Sequence, residues 1–330
     1  MQKITREMLI NKATSLLSDG TVNRVLGLKA GEFGYDVTPY VFYDKNSIEK
    51  DFVWNDFCAA NLSKYLIKET LNSDGKILVF LKPCDTYSFN QLLTEHRIDK
   101  EKVYVIGVGC DGMADIKKVK NLSGDGILSI TSENDKIKVS TLYEDDKYID
   151  ITDVLCEKCM SCKSKKHVYY DELLGDDGEV LDSDRFDMVS KLENMTEDER
   201  FLFWQNELSK CIRCNACRDV CPACTCENCV FDNPKSGIAN KAAADSFEEK
   251  MFHIIRAFHV AGRCTDCGEC SRVCPQDIPL HLLNRKFIKD INEFYGEYQA
   301  GEEVGLRAPL VNYTVDDVEP SDAVRRENNV

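Results

Sequence analysis

The chain has 330 residues, 17 of them cysteine, and a formal net charge of −15 at pH 7. The length predicts about two domains, and the negative charge argues against nucleic acid as a partner because it repels phosphate backbones. No long apolar run is present and the first residues lack signal-peptide features, which predicts a cytoplasmic protein without membrane insertion. In such a chain, an odd number of clustered cysteines indicates metal binding rather than disulfides.

The elements predicted for the first half alternate between helix and strand. Apolar residues at helical spacing predict a helix over 5–18. A nearly continuous apolar run at 76–81 predicts a buried strand, a helical pattern passes through 87–93, and a second apolar run at 103–108 predicts another strand. This alternation predicts an α/β domain with a largely parallel sheet.

Two cysteines, Cys84 and Cys110, lie just beyond the predicted strands. Open α/β sheets bind ligands at the carboxyl ends of their strands, so we expect these cysteines to converge on one site. A G-x-G-x-x-G pattern at 107–112 matches a dinucleotide-binding fingerprint, but the cysteine and aspartate inside it and the doubtful helix after it argue against that interpretation. Flavin binding elsewhere in this domain remains an alternative. FAD is a candidate cofactor, since the helix N-terminus after Asp85 attracts phosphate.

Further along the chain, residues 120–150 are expected to form short polar strands and turns. An acidic stretch follows, and a domain boundary is predicted near 185–200. Helices predicted over 201–208 and 247–260 each precede a cysteine motif. The second of these helices is expected to carry Met251, Ile254, Ile255 and Phe258 on one face.

The most specific signal is a C-x2-C-x2-C-x3-C-P motif that occurs twice, at 211–222 and 264–275. It suits a 4Fe-4S cubane, because two-residue gaps let one turn reach three irons and the proline ends the loop. In ferredoxins the fourth cysteine of each run ligates the other cluster. We therefore predict one cluster on Cys211, Cys214, Cys217 and Cys274, and a second on Cys264, Cys267, Cys270 and Cys221. Zinc, which usually pairs two C-x2-C knuckles around one ion, is the alternative.

Four arginines interleave with these cysteines: Arg213, Arg218, Arg263 and Arg272. They are expected either to offset the charge of the clusters, which raises the reduction potential, or to be solvated surface residues. The long segment between the two motifs contains its own helix, which favours a helical dicluster module over a small β-rich ferredoxin.

A third group, Cys156, Cys159 and Cys162, precedes the predicted boundary. Cys159 and Cys162 form one C-x2-C pair, and a cluster needs two more thiolates, for which Cys84 and Cys110 are the natural donors. Cys156 is an alternative ligand that could take the position of Cys84 or of Cys110. A zinc or redox C-x2-C site is the alternative.

Four cysteines are left without an assignment. Cys224, Cys226 and Cys229 could anchor a further cluster, with Cys58 or with a partner's cysteine, or could be packing thiols beside an existing cluster. Cys58 itself is expected to be a buried helix cysteine.

These features divide the chain into three parts. We predict an α/β domain of residues 1–190 with one 4Fe-4S cluster, a mainly helical ferredoxin-like domain of residues 191–300 with two, and an acidic C-terminal arm of residues 301–330.

The sequence resembles the β-subunit family of coenzyme F-420 (deazaflavin) hydrogenases and formate dehydrogenases. Within that family it resembles the branch that carries a C-terminal dicluster and whose members accompany heterodisulfide reductase. The resemblance covers most of the length and implies a 4Fe-4S cluster on Cys84, Cys110, Cys159 and Cys162, with Cys156 spare. It implies electron transfer among a hydrogenase or formate dehydrogenase, a deazaflavin and heterodisulfide-reductase-like partners, and a bound flavin in some members. It rests on segments 82–85, 105–113, 158–162, 170–175, 211–222 and 256–264.

The function predicted from the sequence is that of an iron–sulfur subunit of a cytoplasmic anaerobic oxidoreductase complex, relaying single electrons through 4Fe-4S clusters. No catalytic acid or base is expected. One alternative is a flavin-containing subunit that converts two-electron into one-electron chemistry at its own site. The other is a zinc-stabilised interaction protein.

Overall fold

The computed structural model describes residues 4–133, 136–163, 166–178, 184–233 and 246–309. Its N-terminal half is built on a five-stranded sheet in which every neighbouring pair except one is parallel. The prediction of an α/β domain with parallel strands is therefore confirmed. In the order β2-β1-β3-β4-β8, the strands are β1 Arg24–Ala30, β2 Val37–Phe42, β3 Ile77–Leu81, β4 Val103–Val108 and β8 Glu172–Leu174.

Helices cover both faces of this sheet, so strand β3 is buried throughout. On one face Leu9 of the first helix packs with Phe80, and on the other Phe89 packs with Val79 and Val105. Burial on both faces explains why β3 and β4 read as continuous apolar runs. The helices of this half are α1 Arg6–Ser18, α2 Lys45–Asp51, α3 Leu66–Asn72, α4 Pro83–Thr94 and α5 Ile116–Ser123.

The predicted short strands form a second, antiparallel sheet of β5 Ile127–Glu133, β6 Lys136–Thr141 and β7 Lys147–Asp150. Its apolar side packs on α5 through Val119. The chain then returns to the first sheet through a one-turn helix, α6 Glu157–Met160, before entering β8.

The C-terminal half is helical in its described residues, and both helices predicted there are present. Helix α8 begins with a capping box between Thr196 and Glu199. Helix α7 packs on α12, where Val189 and Leu192 contact Leu282. The helices are α7 Asp187–Glu193, α8 Glu197–Leu208, α9 Ala216–Asp219, α10 Ser246–Val260, α11 Glu269–Arg272 and α12 Leu280–Tyr295.

The apolar residues of α10 differ in their exposure, and the structure corrects one local prediction. Ile254 and Phe258 are exposed (39% and 62%), whereas Phe252 and Arg256 of the same helix are buried, so the helix turns a mixed face toward the cysteines. Cys58 is buried as expected but lies in a non-helical loop, where its Sγ accepts a hydrogen bond from the Asn55 N–H.

The segment after α12 folds back onto α4, which fixes the two halves together. Gly301 has a φ of +77°, and a Cβ there would lie 1.9 Å from the carbonyl oxygen of Tyr87. Residues 310–330, most of the predicted acidic arm, lie outside the described residues. Among the described helices, none is long and apolar enough to cross a membrane.

Gly301→Ala is expected to lower the free energy of unfolding by about 2 kcal/mol or more, because a left-handed backbone and a steric clash add together. Urea denaturation followed by circular dichroism under anaerobic conditions measures the effect. Gly20→Ala is the matched control, since Gly20 has a φ of +76° with nothing within 4 Å of an added Cβ. Equal losses in the two variants would contradict the contribution of the Tyr87 contact.

Candidate metal centres

Four N-terminal cysteines line one cavity: Cys84, Cys110, Cys159 and Cys162. Cys84 lies in the first turn of α4 directly after β3, and Cys110 follows β4, so the sheet edge brings them together as expected. Helix α6 supplies Cys159. Cys156 does not line the cavity. It is buried, and its Sγ donates instead to the carbonyl oxygen of Ala114 at 3.4 Å.

Two buried lysines, Lys82 and Lys158, line the same cavity. Lys82 Nζ lies 2.8 Å from Asp85 Oδ2 and donates to the Ala60 carbonyl at 2.9 Å. Burial raises the pKa of the Cys84 thiol, and the positive charge of Lys158 opposes that rise. Neutral thiols are favoured until a metal replaces their protons. The lysines then provide positive charge beside a four-thiolate site.

The first C-terminal cavity is lined by Cys211, Cys214, Cys217 and Cys274. This is the crossed set predicted from the sequence, with Cys274 contributed by the second motif. Residues in the left-handed region, Arg213 (φ 53°) and Asn215 (φ 62°), bend the chain so that the three cysteines of the first run face one space. Burial raises the pKa of Cys217 to about 12. Phe252 and His253 of α10 complete one wall.

The second C-terminal set is Cys264, Cys267, Cys270 and Cys221. Burial raises the pKa of each of the first three thiols, and the nearby sulfur of Cys221 adds to the rise in all three. Cys221 is therefore an electrostatic neighbour of the second motif, as crossing requires. Its carbonyl accepts a hydrogen bond from Lys64 Nζ at 3.1 Å, which ties this centre to the N-terminal half.

The four interleaved arginines are engaged in contacts of their own. Arg213 stacks on the Phe252 ring at 4.0 Å. The other three form ion pairs: Arg218 with Asp232, Arg263 with Glu95 and Arg272 with Glu269. Whether these arginines also offset the charge of the clusters stays a prediction.

The buried cation between the two C-terminal sets is Arg256, which is 4% exposed. Its Nη2 donates to the Cys217 carbonyl at 2.9 Å. Burial opposes its charge, but Cys221, Cys217 and Cys270 outweigh burial and raise its pKa. Its position in the motif at 256–264 was the available sequence signal.

The unassigned cysteines do not share one environment. Cys224 packs beside Cys221, whereas Cys229 packs with Leu208 and Phe252. Cys226 is exposed, and it lines a surface groove together with Cys224. Cys58 lies in a different core from Cys224 and Cys229.

That surface groove has a volume of about 540 Å³ and runs between β2, α3 and the loop after Cys221. Its walls combine two aromatic rings with side chains of both charges: Tyr40, Tyr65, Lys64, Lys68, Arg97, Glu69, Asp219 and Glu227. By contrast, the glycine pattern at 107–112 is covered, since a Cβ on Gly109 would lie 2.7 Å from the Asp176 carbonyl oxygen. A helix, α5, does follow this loop from Ile116, contrary to the sequence prediction.

Comparison with known proteins agrees with the cysteine geometry. The 4Fe-4S dicluster domain family matches residues 207–278, which contain both C-terminal motifs. This part of the chain therefore resembles a 4Fe-4S dicluster domain in sequence.

Its curated relatives confirm the resemblance seen in the sequence. The F420-dependent formate dehydrogenase subunit beta of Methanocaldococcus jannaschii is 24% identical over 90% of this chain and 92% of the relative. The F420-dependent formate dehydrogenase 1 subunit beta of Methanococcus maripaludis is 27% identical over 66% and 71%. A chain of the xenon-derivatised F420-reducing nickel–iron hydrogenase complex of Methanosarcina barkeri aligns with a TM-score of 0.36 and 16% identity, over 48% of this chain and 63% of that one.

Proposed function

We propose that the chain holds three 4Fe-4S clusters in a row and conducts single electrons between partner subunits. The observation that carries this proposal is that Cys267, from the second C-terminal motif, lines the N-terminal cavity together with Cys84 and Cys162. Gly268 lies against Lys158, where an added Cβ would be 2.4 Å from the lysine Cβ. The Cys264 set is therefore the middle centre, between the N-terminal centre and the Cys211 set.

The residues present fit such clusters. Each site offers four thiols, and buried cations (Lys82, Lys158 and Arg256) offset the negative charge that four thiolates bring. Bound 4Fe-4S clusters supply one-electron oxidation and reduction. In the described residues, no group of three histidine, cysteine or acidic side chains is placed to hold a single metal ion, which argues against mononuclear zinc.

The relatives point to the kind of complex. Two of them are β-subunits of F420-dependent formate dehydrogenases. We propose that this chain likewise serves a cytoplasmic formate dehydrogenase, hydrogenase or heterodisulfide-reductase-like assembly. The proposed division remains 1–190, 191–300 and 301–330.

Metal analysis of the anaerobically purified protein tests the proposal. About twelve irons and twelve acid-labile sulfides per chain are expected, at four per cubane. A content of about eight irons would contradict the N-terminal cluster, and about sixteen would require a further cluster with Cys224, Cys226 and Cys229 as ligands. Zinc without iron would overturn the proposal.

A second candidate function, that of a flavin-containing subunit, is favoured by the groove beside Cys226. Its aromatic rings can stack on a flavin ring, and Lys64, Lys68 and Arg97 can pair with the phosphates of FAD, although Glu69, Asp219 and Glu227 line the same groove. Lys68→Glu is the informative variant, because Lys64 and Arg97 also brace the loop after Cys221. Flavin that copurifies with the wild type and is lost from this variant would support the site; flavin retained in the variant would contradict it.

A further inference from the structure

One buried histidine faces the first C-terminal cavity without a partner. His253, on α10, is 2% exposed and lines the space enclosed by Cys211, Cys214, Cys217 and Cys274. Neither of its ring nitrogens has a hydrogen-bond partner in the described part of the chain. Buried polar atoms in native proteins are satisfied in the large majority of cases. The missing partner is therefore expected inside the cavity.

The chemistry of the cavity limits what that partner is. The imidazole ring of His253 carries at least one N–H donor in either protonation state. The four thiol groups, the Phe252 ring and apolar side chains such as Ile278 and Leu280 line the cavity together with three polar residues, Arg213, Asn215 and Gln276. None of these polar residues is hydrogen-bonded to the His253 ring in the described residues. A sulfur atom is the acceptor that such a cavity provides once a cluster fills it.

We propose that His253 donates its N–H to a sulfur of the cluster held by Cys211, Cys214, Cys217 and Cys274, and thereby raises that cluster's reduction potential. The inference rests on the proposed function, because it requires that cluster. A hydrogen bond to sulfur stabilises the reduced state, which carries one more negative charge. His253 is thus a residue that sets the potential of the outermost centre and not a ligand.

The test compares three variants by EPR-monitored redox titration of the whole anaerobic protein. His253→Phe keeps a ring but removes the donor, and we expect full iron content with a lower midpoint potential for one cluster only. His253→Gln retains an N–H donor, so its midpoint potential is expected to lie between those of the wild type and of His253→Phe. His259→Phe is the control, since His259 lies on the same helix but is exposed.

A measurement on the wild-type chain gives a test that does not depend on whether the His253 variants fold. With 15N-histidine incorporated, pulsed EPR of the reduced protein is expected to show a weak nitrogen coupling, which persists in the His259→Phe variant. Strong coupling, as from a direct ligand, or no coupling at all would overturn the inference. Full iron with an unchanged potential in His253→Phe would overturn it too, while leaving the proposed function intact. Failure to find about eight irons or more would instead defeat the proposed function.

Discussion

Replacing Glu269 with glutamine is expected to lower the free energy of unfolding by about 3–5 kcal/mol, the range for breaking a buried ion pair. The Glu269 carboxylate is 1% exposed and lies 2.5 Å from Lys158 Nζ and 2.7 Å from Arg272 Nε. It also accepts the Asn61 backbone N–H at 3.2 Å. Without its charge, the buried Lys158 and the partly exposed Arg272 lose their carboxylate partner at the contact between the two halves. Anaerobic urea denaturation measures the loss.

An exposed ion pair provides the control for this variant. Asp187 and Lys191 form an i,i+4 pair with side chains about 60% exposed, so Asp187→Asn is expected to cost less than about 1 kcal/mol. Similar losses in the two variants would show that Glu269 has no special structural role.

The effect of Glu269→Gln should also depend on pH. Burial alone would raise the pKa of the Glu269 carboxyl, but Lys158 and Arg272 outweigh burial and hold it well below its usual range. A depressed pKa in the folded state contributes stability above the unfolded value, near 4.3, and that stability is lost as the pH falls toward the folded value. The difference between wild type and variant should therefore be constant from about pH 6 to 8 and shrink below about pH 4.

Elements that are buried on both faces were predictable from the sequence. Strands β3 and β4 read as continuous apolar runs, because helices cover the sheet on both sides. Strand β8 was missed, since it has only three residues, Glu172–Leu174, and none is fully buried. Its place at the sheet edge depends on pairing with β4, which no local pattern encodes.

The cysteine spacing predicted a set of four thiols, Cys211, Cys214, Cys217 and Cys274, that line one cavity, but it could not identify the charges around them. The first three cysteines of each motif lie close together in the chain, so their spacing reflects the geometry of the turn that holds them. Lys158 and Glu269, by contrast, are 111 residues apart in the chain and meet only through the contact between the two halves. Arg256 belongs to a helix whose periodicity favours another face. Buried cations are set by tertiary contacts, and for Arg256 the only sequence signal was its place in the segment at 256–264 that carries the family resemblance.

A pair of cysteine substitutions should separate the N-terminal centre from the other two. Cys84→Ala is expected to reduce the iron content from about twelve to about eight per chain, because the cavity loses one of its four thiols. It should also lower stability, since Lys82 and Lys158 then remain buried beside an incomplete site. EPR of the reduced protein should retain the signals of the two C-terminal clusters.

Cys156→Ala is the matched control, because Cys156 is as buried as a ligand but lies outside the cavity lining. It is expected to keep about twelve irons and to lose only the packing of one small side chain. A loss of four irons from Cys156→Ala with none from Cys84→Ala would show that Cys156, and not Cys84, is the ligand. In that case the N-terminal centre would rest on α6 and the loop before it, and β3 would have no part in holding it.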